Sequence, residues 1–302
     1  MKLLTVSPAP HIRDKASTRS IMLDVLIALA PTLVASIVIF GFQALLVTGV
    51  CVGMAVLSEF VFEKGVKKSV TINDLSAVVT GVLLSFCLPV DIPLWIAGLG
   101  SVIAIVVVKQ LFGGIGQNFA NPAITARVVL LISFGGAMST YAIDGVTSAT
   151  PLAAGAANPG VLGMFLGNHA GSLGETCALT LLIGGAYLVV RKVISWHIPV
   201  AYIGTVAVVS LVAQQDLSIQ LMGGGLLLGA IFMATDYATS PATPRGQLLY
   251  GVGCGVLTVL FRYNGLFPGG VTYAILLMNA AVWLIDRYTA PRRFGAVKGG
   301  AA

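Results

Sequence analysis

The sequence predicts an all-α polytopic membrane protein: a single membrane domain over residues 1–302, with about ten transmembrane helices in two five-helix inverted repeats that contain broken helices. Three observations carry this expectation. The 302 residues are 57% hydrophobic and only 9% charged, with a mean hydropathy of +0.96, which is more apolar surface than a soluble core of this size hides. Apolar runs near the length that crosses a bilayer recur along the whole chain. Gly- and Pro-rich breaks fall at matching places in its two halves.

A polar arm holding Lys2, Arg13, Lys15 and Arg19 comes first, with no short apolar core and small-residue cleavage site, so the first helix is expected to be retained. Apolar runs then follow near 21–40, 43–62, 74–88, 94–111 and 120–134, and again near 175–190, 197–213, 218–234, 247–261 and 268–285. The third is short and ends in LPVDIP, and the eighth contains MGGG. After the fourth comes KQLFGGIGQNFANPAITARVVLL and after the ninth RYNGLFPGGVTYAILLMNAAVWLI, each a Gly-rich break leading into a helix. An odd number of spans per repeat inverts the second copy. The expected units are therefore residues 1–134, a connecting loop 135–174, and residues 175–302.

Lys and Arg set the direction, because cytoplasmic loops collect them. With the N-terminus inside, the arm, the EKGVKK loop, Lys109, Arg191, Lys192, Arg245 and the tail from Arg287 to Lys298 all fall inside. Only Arg127 and Arg262 do not, while the opposite loops carry Asp91, Asp144 and Asp216. Both termini are thus expected in the cytoplasm and the 135–174 loop outside it. The net charge of +6 is then a topology signal, and nucleic acid is not an expected partner. Cys51, Cys87, Cys177 and Cys254, like His11, His169 and His197, are scattered without metal or disulfide spacing; the cysteines read as small core residues.

The outer loop contains DGVTSATPL, Asp144 to Leu152, where Thr147, Ser148 and Thr150 stand among small residues. Gly145 and Ala149 leave room around these hydroxyls. Pro151 biases the residue before it away from the helical region, and that residue is Thr150.

Three stretches resemble the D-subunit (RnfD) family of Rnf complexes, the membrane-bound ferredoxin:NAD oxidoreductases: SPAPHIRDKASTRSIMLDVLIALAP, DGVTSATPL and MATDYATSPATPRGQLLYG. GQNFANPAITARV, GSLGETCALTLLIGGAYLV, WHIPVAYIGTV and GVTYAILLMNAA extend the likeness over nearly the entire chain. The B subunit of sodium-pumping NADH:quinone oxidoreductases (NqrB) is more distantly similar, although this chain lacks that subunit's extended N-terminal region. The resemblance implies a bacterial inner-membrane subunit of a complex that couples electron flow between ferredoxin and NAD to movement of Na+ or H+. It implies FMN held through a phosphoester on Thr150, the last Thr of a D-G-x-[ST]-[GS]-A-T pattern, installed outside the cytoplasm by a separate flavin transferase. Asp144, Gly145, Thr147 and Ser148 would complete that site, with Ser148 where many relatives have Gly. It implies partner subunits that carry iron–sulfur clusters and a second FMN, and a noncovalent flavin such as riboflavin on this chain, for which Asp236, Thr239 and Ser240 in TDYATSPATPRGQ are candidates; the same polar loop would also suit a cation site or satisfy broken-helix ends.

Asp24, Glu59, Arg127 and Glu175 lie in or at the edges of expected spans, where charges face a cavity, a partner or each other. Arg127 would hold a flavin phosphate or a reduced, anionic ring, or else pair with Glu175 or reach an interface. Glu175 would cap the sixth span or serve as a cation or proton waypoint. Asp24, with no cation at helical spacing beside it, would lie on the ion route or face headgroups. Asn118, Asn121, Pro122 and Asn279 would sit at backbone breaks or tie helices together. The chain carries no Rossmann fingerprint and no iron–sulfur cysteine motif. Substrate oxidation would then belong to partners, and this chain would position and tune a cofactor. The competing class is a small-molecule channel or transporter of inverted-repeat type, which has no need of the acceptor loop.

Overall fold

The computed structural model describes residues 17–143, 146–148, 150–152, 159–263 and 270–291. Helix α1 (Thr18–Phe40) starts at Ser17, whose hydroxyl accepts from the Ser20 N–H while Ser20 returns the contact, a capping box that satisfies two otherwise orphaned donors. Gly41, at φ +69°, turns the chain straight into α2 (Phe42–Gly65). These two helices are each long and apolar enough to cross a bilayer on their own. Helix α3 (Ser76–Phe86) is short, as LPVDIP after it predicts. Helix α4 (Leu94–Val102) runs on without a stop into a π-helical stretch, Ile103–Gln110.

Helix α5 (Pro122–Ser133) has Pro at its first position, where the missing N–H costs nothing, and the Asn121 side chain accepts from the Ala123 and Ile124 N–H groups. After α6 (Gly135–Met138) come β1 (Tyr141–Ile143) and β2 (Val146–Ser148), paired antiparallel with Tyr141 opposite Ser148. This hairpin is the one departure from the expected all-α class among the described residues. The sequence carried its signal, since Asp-Gly between two short β-forming runs is a strong hairpin pattern.

Helices α7 (Gly160–Leu166), α8 (Ala178–Val190) and α9 (His197–Val212) follow. The eighth expected span is broken: α10 (Leu217–Met222) stops at Gly223, and α11 (Leu226–Leu228) restarts and passes into π-helical Gly229–Met233. Gly224 and Gly225, at φ +65° and +69°, make a left-handed turn that glycine alone takes without strain. Helices α12 (Pro244–Tyr263) and α13 (Gly270–Thr289) complete the chain.

In the first half α2 packs against α3 and α4, and in the second α9 and α13 pack against α12. The halves meet through α1 against α8 and α5 against α13. Small residues permit these approaches: a Cβ on Gly251 or Gly255 of α12 would strike Ala201 or Thr205 of α9. The outside is apolar, with Val38, Val190 and Val212 strongly exposed to the surroundings, as hydrocarbon or a partner chain requires. All four cysteines are buried and unbridged.

Irregular backbone lies inside this bundle. Leu173 and Gly174 donate N–H bonds to the Leu88 and Phe86 carbonyls at 3.0 and 2.9 Å, so the segment leading into α8 runs beside the end of α3 within the protein. Backbone that leaves the helix at membrane depth must be paired or enclosed in this way.

Candidate functional site

Polar side chains gather at two opposite ends of the bundle. At the end bearing the hairpin, Arg127 of α5 is buried, and its guanidinium borders the Cys87 thiol and the Tyr141 phenol. Its Nε has no hydrogen-bond partner among the described residues. Burial pushes the Tyr141 phenol up, and the nearby Arg127 charge opposes this. Arg262 of α12 donates to the Gln220 carbonyl (2.6 Å), the Gln220 Oε1 (3.0 Å) and the Gly223 carbonyl (2.9 Å). It thereby satisfies the carbonyl end of α10, where a cation is favoured. The two arginines that break the charge rule for loops therefore flank the same Gly223–Gly225 break. Neither is a loop residue in a strict sense.

The segment carrying Thr150 lies over this break. Thr150 is half-buried, Pro151 is buried, and the Leu152 side chain packs on Gly223 and Gly224. Thr147 and Ser148 form part of β2, whereas Asp144, Gly145 and Ala149 lie outside the described residues.

Glu175 is buried and accepts from the Ser172 hydroxyl at 3.0 Å, leaving Oε1 without a hydrogen-bond partner. The expectation that it caps the sixth span is corrected: α8 starts at Ala178 behind Cys177, with no side-chain cap. Nor do Arg127 and Glu175 form a close ion pair. Among the described residues the pairs within 4.0 Å are Lys109–Glu59 and Arg191–Asp24.

Asp24 is not the lone carboxylate its neighbours in sequence suggest. Across the α1–α8 contact it accepts from Tyr187 (2.9 Å) and from Arg191 (3.1 Å), which lie too far along the chain for helical spacing to reveal.

At the other end a cavity of about 340 Å³ opens among the start of α1, the start of α3, the 115–123 break, the end of α8 and the 235–238 segment. Its volume falls in the range of small-molecule sites, about 300–1,000 Å³. Apolar walls come from Val25, Val79, Leu83 and Phe232, and polar groups from Asn118, Asp236 and Lys109. Asp236 accepts from Thr239 at 3.2 Å and Asn118 at 3.4 Å. Burial raises its carboxyl above the usual carboxylate range, and these hydrogen bonds pull it part of the way back. Ser240 lines a second recess next door, with Lys192 and Trp196, rather than this cavity. Behind the cavity Asn121 donates to the Met233 carbonyl at 3.2 Å. With its amide turned to suit its partners, Asn279 accepts from the Asn121 N–H and donates to the Thr239 carbonyl, both at 3.1 Å. Asn279 thus ties helix α13 to the 118–122 break and to the segment holding Thr239 rather than sitting at a break itself, and the second Gly-rich break, 264–269, lies outside the described residues.

One cluster shows in the sequence only through Glu59, a charge within a span, and its partners do not show there. Glu59 and Glu63 of α2 are both buried, one helical turn apart. The Lys109 ammonium donates to Glu59 Oε1 and to the Ser76 hydroxyl, each at 2.6 Å. Gln110 donates to Glu59 (2.7 Å) and Glu63 (3.2 Å), and the Thr71 N–H to Glu63 (2.9 Å). Lys109, read as a basic loop residue, is inside the protein. Breaking such a buried pair costs about 3–5 kcal/mol, because the charge left behind has no water.

Residues 5–295 match the model of the NQR2, RnfD, RnfE family. The chain is 50% identical to the D subunit of the Na(+)-translocating ferredoxin:NAD(+) oxidoreductase complex of Acetobacterium woodii, over 98% of this chain and 96% of that one. It is 42% identical to the D subunit of the proton-translocating ferredoxin:NAD(+) oxidoreductase complex of Clostridium ljungdahlii, over 97% and 96%. It is 35% identical to the D subunit of the ion-translocating oxidoreductase complex of Escherichia coli, strain K12, over 97% and 99%. A match of this length, with Thr150, Arg127 and the Asn118–Asn121 break all inside it, leaves one conclusion: the chain belongs to the NQR2, RnfD, RnfE family of membrane proteins.

Proposed function

We propose that this chain is the electron-carrying membrane subunit of a complex that couples electron transfer between ferredoxin and NAD to translocation of Na+ or H+, and that Thr150 holds FMN through a phosphoester. The observation that carries the reading is the position of Thr150: a pre-proline hydroxyl on a segment anchored by Pro151 and Leu152, over a helix break flanked by Arg127 and Arg262. Bound there, FMN supplies reversible electron transfer. The protein's part is to hold and surround it. Arg127 suits a phosphate or an electron-rich ring because its Nε is buried without a partner, a state that costs free energy until something accepts from it. The denatured polypeptide should fluoresce as a flavoprotein; a dark one would favour the channel or transporter reading instead.

The membrane placement has both termini in the cytoplasm and the hairpin outside. In its support, the ends of α1, α3, α5, α8 and the π-helical Gly229–Met233 stretch converge on the 340 Å³ cavity at the end that carries the basic loops. Two inverted repeats, 1–134 and 175–302, accord with the packing, in which α1 meets α8 and α5 meets α13 while α2–α4 is echoed by α9–α12. Iron–sulfur and flavin subunits of the same complex would exchange electrons with this one, and a flavin transferase would mature it.

The cavity suits a second, noncovalent flavin such as riboflavin. Apolar walls accommodate a flat ring system, and Asn118, whose amide nitrogen donates to the Ala120 carbonyl and to Asp236, and the Asp236 carboxyl are the polar groups that a polyol or ring amide would meet. Because burial favours the neutral form of Asp236, Asp236→Asn should retain noncovalent flavin, whereas Asp236→Leu should release it. Flavin freed by acid precipitation of each purified complex measures this, and equal retention by both would remove Asp236 from the site.

Between the two proposed ion-route carboxylates the geometry favours Glu175, whose Oε1 is free of hydrogen bonds, over Asp24, whose oxygens are taken by Tyr187 and Arg191. In proteoliposomes Glu175→Gln should lower the ions moved per electron, and Asp24→Asn should leave that ratio unchanged. The reverse pattern would return Asp24 to the route.

A further inference from the structure

We propose that Lys109 tunes the reduction potential of whatever redox group occupies the cavity, and that the Glu59–Glu63 pair behind it sets how strongly it does so. The inference rests on the reading of the cavity as a noncovalent flavin site and concerns residues outside the TDYATSP segment that suggested that reading. Lys109 and Ser76 both line the cavity wall, and Lys109 bonds both the Ser76 hydroxyl and Glu59 of α2. An ammonium has three N–H donors. Two are taken by Glu59 Oε1 and the Ser76 hydroxyl, and no third partner is present among the described residues. The remaining donor belongs to a charge that is fixed in place at the boundary of an otherwise largely apolar pocket, where its field is weakly screened.

The placement has a structural cause. Ile103–Gln110 is π-helical, a rare geometry that is often retained at functional sites. It delivers Lys109 onto Glu59 and Gln110 onto both Glu59 and Glu63. Gln110 bridges Glu59 and Glu63, and Thr71 holds Glu63 from the far side. Glu59 Oε2 is left with no hydrogen bond, so the carboxylate is held through one oxygen, on the side that faces Lys109 and Gln110. A positive charge on the wall stabilises the form of the occupant that has gained an electron, and a carboxylate behind that charge attenuates it. The two residues therefore act in opposite directions on the same quantity.

That opposition is the test. In purified complex, noncovalent flavin is first quantified by acid release, and its potential is then followed by spectroelectrochemical titration. Lys109→Met should retain the flavin with its potential displaced negative, by a tenfold or larger loss of preference for the reduced form, about 59 mV for a one-electron couple. Glu59→Gln should displace it positive. Should Lys109→Met fail to accumulate, the double variant Glu59→Gln/Lys109→Met removes both charges together and should still displace the potential negative, by less. A purely structural pair would give shifts of one sign or none, and either result overturns the proposal. Absence of releasable flavin from the unmodified complex overturns the cavity reading itself and is recognised before any titration begins.

Discussion

Replacing Thr150 with alanine is expected to leave a folded, membrane-inserted subunit that carries no covalent flavin and a complex that no longer moves electrons from ferredoxin to NAD. The phosphoester needs an oxygen nucleophile, and alanine has none. Little else changes. Thr150 is only half-buried, and the segment is held by Pro151 and by Leu152 against the Gly223–Gly225 break, contacts that the substitution does not touch. An exchange away from such anchors shifts stability by about 0.5 kcal/mol or less. Thr150→Ser keeps a hydroxyl before the proline and should be flavinylated. Mass spectrometry of the peptide spanning Ser148 to Pro151 reads both outcomes. An intact adduct in Thr150→Ala would move the site to Thr147 or Ser148.

The spans were legible because hydrocarbon imposes a length on apolar runs, and the helices lie within a few residues of the runs that announce them. The eighth run could be recognised as broken because MGGG cannot continue a helix cheaply, and α10 does end at Met222. What hydropathy cannot express is pairing across the chain. Lys109 read as a basic residue at the end of a span; its partner Glu59 is 50 positions away, and the π-helical turn that aims it leaves no trace in the apolar pattern. Asp24 read as solitary because Arg191 is 167 positions distant. Arg127 and Arg262 stood out as exceptions to charge asymmetry, and that was the usable signal: a cation within a span is expensive unless the fold gives it a partner or a cavity. Around Thr150 the sequence singled out a pre-proline hydroxyl, whereas Asp-Gly, a hairpin signal, was read only as part of a connecting loop. The anchoring of the segment on a glycine break in another span needed three dimensions.

The contact between α1 and α8 gives the second large expected effect. A Cβ on Gly184 would collide with the Ala28 carbonyl oxygen and come within 3.1 Å of the Phe232 ring, and one on Gly185 would meet Ile231 at 2.8 Å. The obstruction at Gly184 is backbone, so no rotamer change relieves it, and two helices must separate. Overpacking of this kind costs about 1–3 kcal/mol, and a valine adds two further methyl groups to the conflict. In lipid little opposes the separation, because hydrocarbon is as good a neighbour for α1 as α8 is. The same interface carries the Asp24–Arg191 pair and, through Ile21, Met22, Val25 and Leu188, forms one wall of the cavity. Gly184→Val should therefore lower the thermal midpoint of the purified complex by about 2–10 °C and release the noncovalent flavin proposed for the cavity, while the FMN proposed at Thr150, at the opposite end, stays attached. An unchanged midpoint with both flavins retained would mean that α1 and α8 do not approach this closely in the membrane. Loss of both flavins would mean instead that the two ends are not independent, and that the α1–α8 contact holds the hairpin end as well as the cavity.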